Sequence, residues 1–360
     1  MRRGAASRGP SHCSPCVRGR RSYCVYVSLD ANCERSSGDF DDSTVIEPLV
    51  SIGIPAYNRP LELERAVRSA IDQDHPQIEV VISDDASSDA QVAATCLRLQ
   101  AESARVRFIR QPANLGHDRN YQRVLEEARG EYFMWLADDD WLDPTYVSKC
   151  LGVLLAQPAT VLVCGQARCY RDGDYVLTEH PIDLASSRAG LRLIAYFGQV
   201  SLNGLLFGVA HRNDLLAVGF RSVVAGDWSL VADLASRGRV RTLRDVHIHR
   251  SLDGLGSDPR RLAEGFGLRG VVARQHHILV AWRMAIEIAS GRLGRPLRGS
   301  VARVTVGVVV GLEILTRFTG IALFRALVGE RLFTQFERSV ARGLLTTSRA
   351  DENDARSSAR

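Results

Sequence analysis

Lysine is almost missing from this 360-residue chain: Lys149 stands alone, and the other 45 of the 46 basic residues are arginine. That scarcity removes whole mechanisms. A phosphate-binding loop of the Gly-Lys-Ser/Thr kind needs a lysine after a glycine run, whereas Lys149 sits in Val-Ser-Lys-Cys. Schiff-base chemistry would have only that one amine. The arginine bias itself reads as a GC-rich coding composition and says nothing of function.

Long apolar runs are missing too. No N-terminal stretch has the apolar length of a secretory signal. The most apolar region, 301–328, is interrupted by Arg303, Glu313, Arg317 and Arg325. Its longest uncharged run, 304–312, is nine residues, against the roughly twenty that spanning requires. Flanking arginines at 292, 295, 298 and 331 suit an interfacial helix on an anionic leaflet, whereas a packed helical cap or a dimer contact would need the same pattern. Both readings stay open. The expected location is cytoplasmic, with or without peripheral attachment to the inner face of the cell membrane through 301–328.

Neither disorder nor a nucleic-acid partner is indicated. With 45% hydrophobic residues, 24% charged and a net charge of +5, the chain is globular in the main. Positive charge collects at 1–28 and 291–331 and not in the centre. Cysteine chemistry is thin as well. Cys13-Ser-Pro-Cys16 is a lone pair without a second pair at zinc spacing, and Cys96, Cys150, Cys164 and Cys169 fall inside apolar patterns, where free cysteine behaves as a small hydrophobe. A reduced compartment follows.

What is present begins at Leu49. Residues 1–47 read as a disordered tail or an upstream mis-start, and 346–360 as a second disordered tail. Between them, β-branched runs at 49–54, 78–82, 106–109 and 131–136 alternate with helical periodicity near 60–71, 91–103 and 117–129. Such alternation predicts an α/β fold with a mostly parallel sheet flanked by helices. Ligands bind beyond the carboxyl ends of its strands. Three polar clusters stand at such ends: Pro55-Ala-Tyr-Asn58, Ser83-Asp-Asp-Ala-Ser-Ser-Asp89 and Asp138-Asp-Asp140. The second could be a loop with a helix cap. Three consecutive carboxylates repel and raise one another's pKa unless a cation neutralises them, and oxygen ligands suit Mg²⁺ or Mn²⁺.

The motifs Val50-Ser-Ile-Gly-Ile-Pro-Ala-Tyr-Asn58, Ile82-Ser-Asp-Asp-Ala-Ser-Ser-Asp89, Asn114-Leu-Gly116 and Leu136-Ala-Asp-Asp-Asp-Trp-Leu-Asp-Pro144 resemble, in order and spacing, the signatures of family-2 inverting glycosyltransferases of the GT-A fold. The resemblance covers about 49–250. It implies a UDP- or dTDP-sugar donor, a divalent metal (Mg²⁺ or Mn²⁺) and a sugar or lipid-linked acceptor, in cell-envelope polysaccharide or glycolipid synthesis. It assigns Pro55, Tyr57, Asn58 and Asn114 to the nucleotide site, Asp85 to the base with Asp84 beside it, Asp138 to the ribose and Asp139 to the metal, joined by Asp140 and His249. In that register the first Asp of the family's Asp-x-Asp falls on Ala137. In Gly226-Asp-Trp-Ser, Asp227 matches the general base, with Trp228 near the acceptor. The bare sequence also allows Asp227 to be a helix cap.

The implied organisation is a GT-A domain over 48–255, with a nucleotide half (48–145) and an acceptor half (146–255), and a helical extension over 256–345. A catalytically inactive nucleotide-sugar-binding protein is the competing reading. A processive synthase would carry Gln-x-x-Arg-Trp and spanning helices, and a nucleotidyltransferase a Gly-rich loop with lysine.

Overall fold

A run such as Val50–Ala56, apolar without alternation, suits a strand covered on both faces. The computed structural model describes residues 47–254 and 276–328, and in it this run is β1, buried throughout. It leads to α1 (Pro60–Ile71), which opens on proline, has Glu62 in its first turn, and buries Leu63, Ala66, Val67 and Ala70. Proline with fixed φ and an acid near the positive helix end are both favourable there. Next come β2 (Ile78–Asp84), α2 (Ala90–Glu102), β3 (Val106–Arg110), α3 (His117–Glu127) and β4 (Tyr132–Trp135). These four strands lie in the order β3-β2-β1-β4, all parallel. Their carboxyl ends therefore line up along one edge.

The second half is mixed. After β5 (Trp141–Leu142) and α4 (Tyr146–Ala156) come β6 (Thr160–Arg171) and β7 (Asp174–Thr178), joined by Asp172-Gly173. Both turn residues have positive φ, as a two-residue hairpin requires. Then follow α5 (Ala189–Gln199), a 3₁₀ turn (Gly204–Phe207), β8 (Val209–His211), α6 (Arg212–Val218), α7 (Gly226–Arg237) and β9 (Arg239–Ser251). The sheet continues from β4 as β8-β6-β9-β5, with β7 paired to β6. β8 runs antiparallel to β4 and β6, and β5 antiparallel to β9, while β6 and β9 are parallel. The parallel sheet expected from alternation thus holds for the first half, and short reversed strands turn the rest.

The core runs the length of this sheet, with Trp135, Phe133, Tyr146, Tyr196 and Phe197 fully buried. Cys96, Cys150, Cys164 and Cys169 are buried and free. Burial pushes the Cys96 and Cys164 thiols up to about 12, so they stay protonated and act as packing. Beyond the sheet lie two further helices, α8 (His276–Ala289) and α9 (Ser300–Val328). The expected tails (apart from Glu47), the Cys13–Cys16 pair and both ends of the 256–345 helical extension fall outside the described residues. Glu47, read as tail, instead pairs with the buried His75 at 3.0 Å.

Gly53 in β1 stands where a Cβ would come within 2.6 Å of Phe133 Cζ and 3.0 Å of Val124. Phe133 is itself fully buried and wedged edge-on against Trp135, so it has no room to yield. Gly53→Ala should cost about 1–3 kcal/mol through overpacking, read as a lower urea midpoint at unchanged slope. An unchanged midpoint would show that the Phe133 ring can move aside.

Candidate active site

The strand ends of both halves meet at one edge. Tyr57, just past β1, donates its backbone N–H to Asp138 Oδ2 at 3.0 Å, and its ring is exposed. Asn58 donates its N–H to Ser87 Oγ (3.0 Å), and its side-chain oxygen accepts from Asp89 N–H (3.1 Å). It therefore laces the first cluster to the second. Asp84 is fully buried and takes Ser87 N–H at 2.9 Å. Its other oxygen has no hydrogen bond, with Arg110 Nη1 3.6 Å away. Asp85 accepts from Leu115 N–H (2.6 Å) and Gly116 N–H (3.0 Å), and Asn114 Oδ1 also accepts from Gly116 N–H (2.9 Å). The Asp84–Asp85 loop and the Asn114-Leu-Gly116 loop are thus one unit, while Pro55 stays inside β1 opposite Ser83. Four of the five described non-glycine residues with positive φ (Asn58, Ala86, Asn203 and Ala225) lie in these site loops. That is where strained backbone tends to gather.

The three aspartates after β4 are all buried but face different ways. Arg59 Nη1 bridges Asp138 Oδ1 (2.9 Å) and Asp139 Oδ2 (2.8 Å). Arg65 donates to the Asp139 carbonyl at 2.8 Å. Asp140 turns toward β9, where Oδ1 accepts Ser251 N–H (2.9 Å) and Oδ2 lies 3.7 Å from Arg250 Nε. Burial, and then the neighbouring Asp139, push the Asp138 carboxyl up to about 6 despite Arg59. Burial also raises Asp139 and Asp140. Gly254 crosses above, since a Cβ there would come within 2.9 Å of Asp139 Oδ2.

This donor set fits a hard cation in one respect and not in another. Asp138 and Asp139 converge on a single positive group, the Arg59 guanidinium, and their oxygens are the kind Mg²⁺ or Mn²⁺ takes. Asp140 does not join them. His249 does not either, and the expectation that it would is corrected here. Its Nε2 meets Asp143 Oδ1 at 2.8 Å, its Nδ1 meets the Tyr170 hydroxyl at 3.0 Å, and its ring stacks on Trp141 at 5.0 Å. Neighbouring strand residues point to opposite faces, so Arg250 faces Asp140 while His249 faces Asp143. His247 shares that side, with Nδ1 at 3.0 Å from Asp143 Oδ2. Among the described residues, no group of three or more His, Cys, Asp or Glu is arranged to hold a metal ion.

The other side of the site is built around Asp227. It stands in the first turn of α7, but the cap position is Ala225 and no side chain caps the helix. The capping alternative therefore does not describe it. Asp227 Oδ2 accepts from Asn203 Nδ2 at 2.8 Å, and the Tyr196 hydroxyl donates to Asn203 Oδ1 at 3.0 Å. Burial raises the Asp227 carboxyl above the usual range, while the Asn203 amide and Arg250 oppose the rise. Glu179 takes the N–H groups of Leu202 and Gly204 (3.2 and 2.9 Å), holding the Asn203 turn. Arg250 donates to the Leu202 carbonyl at 2.8 Å. One guanidinium thus touches the turn that holds Asn203 and lies beside Asp140. Trp228 packs on Phe318 of α9 at 6.0 Å.

Sequence reasoning missed Arg59, Asn203, Glu179 and Arg250. Arg59 and Arg250 each adjoin a residue that was singled out, and Asn203-Gly204 is a turn dipeptide. Glu179 had no signal, because its partners are backbone groups some 25 residues away.

Residues 51–213 match the family described as Glycosyl transferase family 2. The GalNAc(5)-diNAcBac-PP-undecaprenol beta-1,3-glucosyltransferase of Campylobacter jejuni is 35% identical over 96 residues, 26% of this chain and 31% of that protein. The chondroitin synthase of Escherichia coli is 40% identical over 104 residues, 29% of this chain and 15% of that protein. The matched segments span less than a third of the length of these relatives. Among solved structures, residues 1–349 of S. aureus TarS superpose with a TM-score of 0.54 at 16% identity, over 75% of this chain and 72% of that one. At that identity the likeness is one of fold, and the fold is GT-A.

A carboxyl whose pKa rises on folding stabilises the protein while protonated and withdraws that contribution as it ionises. The share owed to Asp138 is complete below about pH 4 and is lost as pH rises through about 6. In metal-free buffer, wild-type stability should therefore fall between about pH 4 and 7 by up to roughly 3 kcal/mol relative to Asp138→Asn. Parallel melting-versus-pH curves for the two proteins would show that Asp138 ionises in the ordinary range.

Proposed function

We propose, from the premise that residues 51–213 are a glycosyltransferase family 2 domain, that this chain moves a sugar from a nucleotide-diphosphate sugar, UDP- or dTDP-linked, to an acceptor hydroxyl, with inversion at the anomeric carbon. The observation that carries the reading is the convergence of two carboxylate groups of different character at one sheet edge. Asp138 and Asp139 face a cation, while Asp227 is held by a neutral amide with its pKa raised.

Each group has a separate task. Asp85 and the Asn114–Gly116 loop take the base, with Tyr57 beside it, and Asp138 lies toward the ribose. Asp139 would hold Mg²⁺ or Mn²⁺ together with the donor phosphates, and the ion would neutralise the departing diphosphate. Asp227 accepts the proton of the acceptor hydroxyl as that oxygen attacks the anomeric carbon from the face opposite the nucleotide. A raised pKa makes the carboxylate a better base at neutral pH, and Asn203 aims its oxygen. Arg59 must leave its bridge for a divalent ion to enter, and its guanidinium is then free to meet phosphate.

Support for the ligand classes comes from relatives. S. aureus TarS, of the same fold, has been solved with UDP-GlcNAc, and the Campylobacter relative is named for a diphospho-undecaprenol-linked acceptor. Synthases of chondroitin and hyaluronan among the relatives support a role in polysaccharide or glycolipid assembly.

Asp227→Asn tests the acceptor side. A positioned base contributes ~10²–10⁴-fold, and the loss should fall in kcat, with donor binding nearly intact. Wild-type turnover in this variant would remove Asp227 from the chemistry. For the donor side, Asp139→Asn keeps the shape and removes a charge. UDP or dTDP affinity in Mn²⁺ should drop, with melting unchanged in the absence of ligand. Equal nucleotide affinity with and without Mn²⁺, in both proteins, would refute a metal role for Asp139.

A further inference from the structure

We propose that the outer face of the α8–α9 hairpin is a docking surface for an anionic lipid bilayer, lying on the membrane without crossing it. The two helices meet through small residues: a Cβ on Gly307 would come within 2.6 Å of the Ala285 carbonyl, and one on Gly311 within 3.1 Å of Ala285 Cβ. So close an approach joins their outer faces into one surface. On α8 the inward residues are Val280, Met284 and Ile288, and on α9 they are Val310 and Ile314, all buried. Away from these lie Ile278, Trp282 and Ile286, with Trp282 66% exposed. Beside them on α9 stand Val301, Val304, Val308 and Leu312, with Val301 79% exposed. Nine of the fifteen exposed large hydrophobic residues described in the whole chain fall within 278–312. A patch so concentrated marks an interaction site.

Four of the charges that interrupt the apolar sequence of these helices turn inward. Arg317 donates to the Val200 carbonyl (2.7 Å), and the Glu313 carboxylate lies against Gly198 of α5. On α8, Arg283 donates to the Ala225 carbonyl (3.0 Å), and Glu287 pairs with Arg221 (3.0 Å). Two of the exposed threonines are satisfied within the helix, since Thr305 and Thr316 donate to the carbonyls four residues back at 2.9 Å. A hydroxyl bonded in this way needs no water.

The occupant follows from charge. The connection between the helices exposes Arg292, Arg295 and Arg298, and no acidic residue lies between Glu287 and Glu313. Arginines at the end of an apolar face complement anionic headgroups over an acyl layer. A second copy seated on this face would bring the same apolar residues and arginines, and no carboxylate to answer them. No described helix is long and apolar enough to cross a membrane, so the hairpin lies along the surface. The proposal stands independently of the transferase reading.

The test uses the full chain and phosphatidylcholine vesicles with and without about one-third phosphatidylglycerol. Sedimentation should show partition to the anionic vesicles only, with a blue shift of tryptophan fluorescence that Trp282→Phe abolishes. Val308→Glu, on the exposed face, should keep wild-type melting and lose at least about tenfold in partition. Each of Arg292, Arg295 and Arg298 changed to Gln should cost about fivefold. Absent or charge-independent vesicle binding, or partition unchanged in Val308→Glu, would overturn the proposal. So would a dimer that Val308→Glu splits while vesicles leave the wild type in solution, an outcome that assigns the face to a second copy.

Discussion

Three consecutive carboxylates buried at the end of β4 repel one another, and the geometry of the site follows from how that repulsion is relieved. Positive charge reaches them from two directions. Arg59 bridges Asp138 and Asp139 at 2.9 and 2.8 Å, while Arg250 approaches Asp140 at 3.7 Å from β9. Asp140 is spent on holding β9 through Ser251 N–H. The two carboxylates left facing outward are bridged by the guanidinium of a single exposed-edge arginine. With Arg59 in place neither carboxylate is left as an unpaired buried charge, which would cost several kcal/mol.

The same arginine on β9 ties the Asp138–Asp140 edge to the Asp227 edge. Arg250 donates to the Leu202 carbonyl, Glu179 gathers the backbone N–H groups on either side of Asn203, and Asn203 holds Asp227. The parallel half of the sheet supplies the loops of Asn58, Asp85 and Asp138. The mixed half, with β6 and β9 long and β8 and β5 short, carries the chain back so that residues 140, 203, 227 and 250 share one neighbourhood. Two left-handed residues, Asn203 and Ala225, mark where the backbone bends to make it so.

Outside the site, polarity is sorted by face. α8 and α9 turn Arg283, Glu287, Glu313 and Arg317 toward the sheet domain and carry apolar residues on their outer faces as well as their inner ones, unlike an ordinary surface helix. Trp228, next to Asp227, packs on Phe318 of α9, so the hairpin and α7 are in direct contact.

Much of this was legible without coordinates. The four parallel strands, the helices between them and the polar clusters at the strand ends were readable because hydrophobic periodicity and turn chemistry are local properties. The Asp138–Asp140 cluster stood out for the same reason, whereas Asp227 was marked only by the family resemblance, because the bare sequence allows a helix cap there as well. The directions of side chains were decided only by the tertiary structure. His249 and Arg250 are adjacent, and the pairing of β9 with β5 and β6 sends the histidine to Asp143 and the arginine to Asp140. Whether Asp227 caps its helix depended on where α7 begins, and that position is Ala225. The apolar run 301–328 looked broken by charge until packing against α5 turned Glu313 and Arg317 inward. Composition and spacing determine which elements form, whereas the partner of a charge is set by strand register and helix rotation among segments a hundred residues apart.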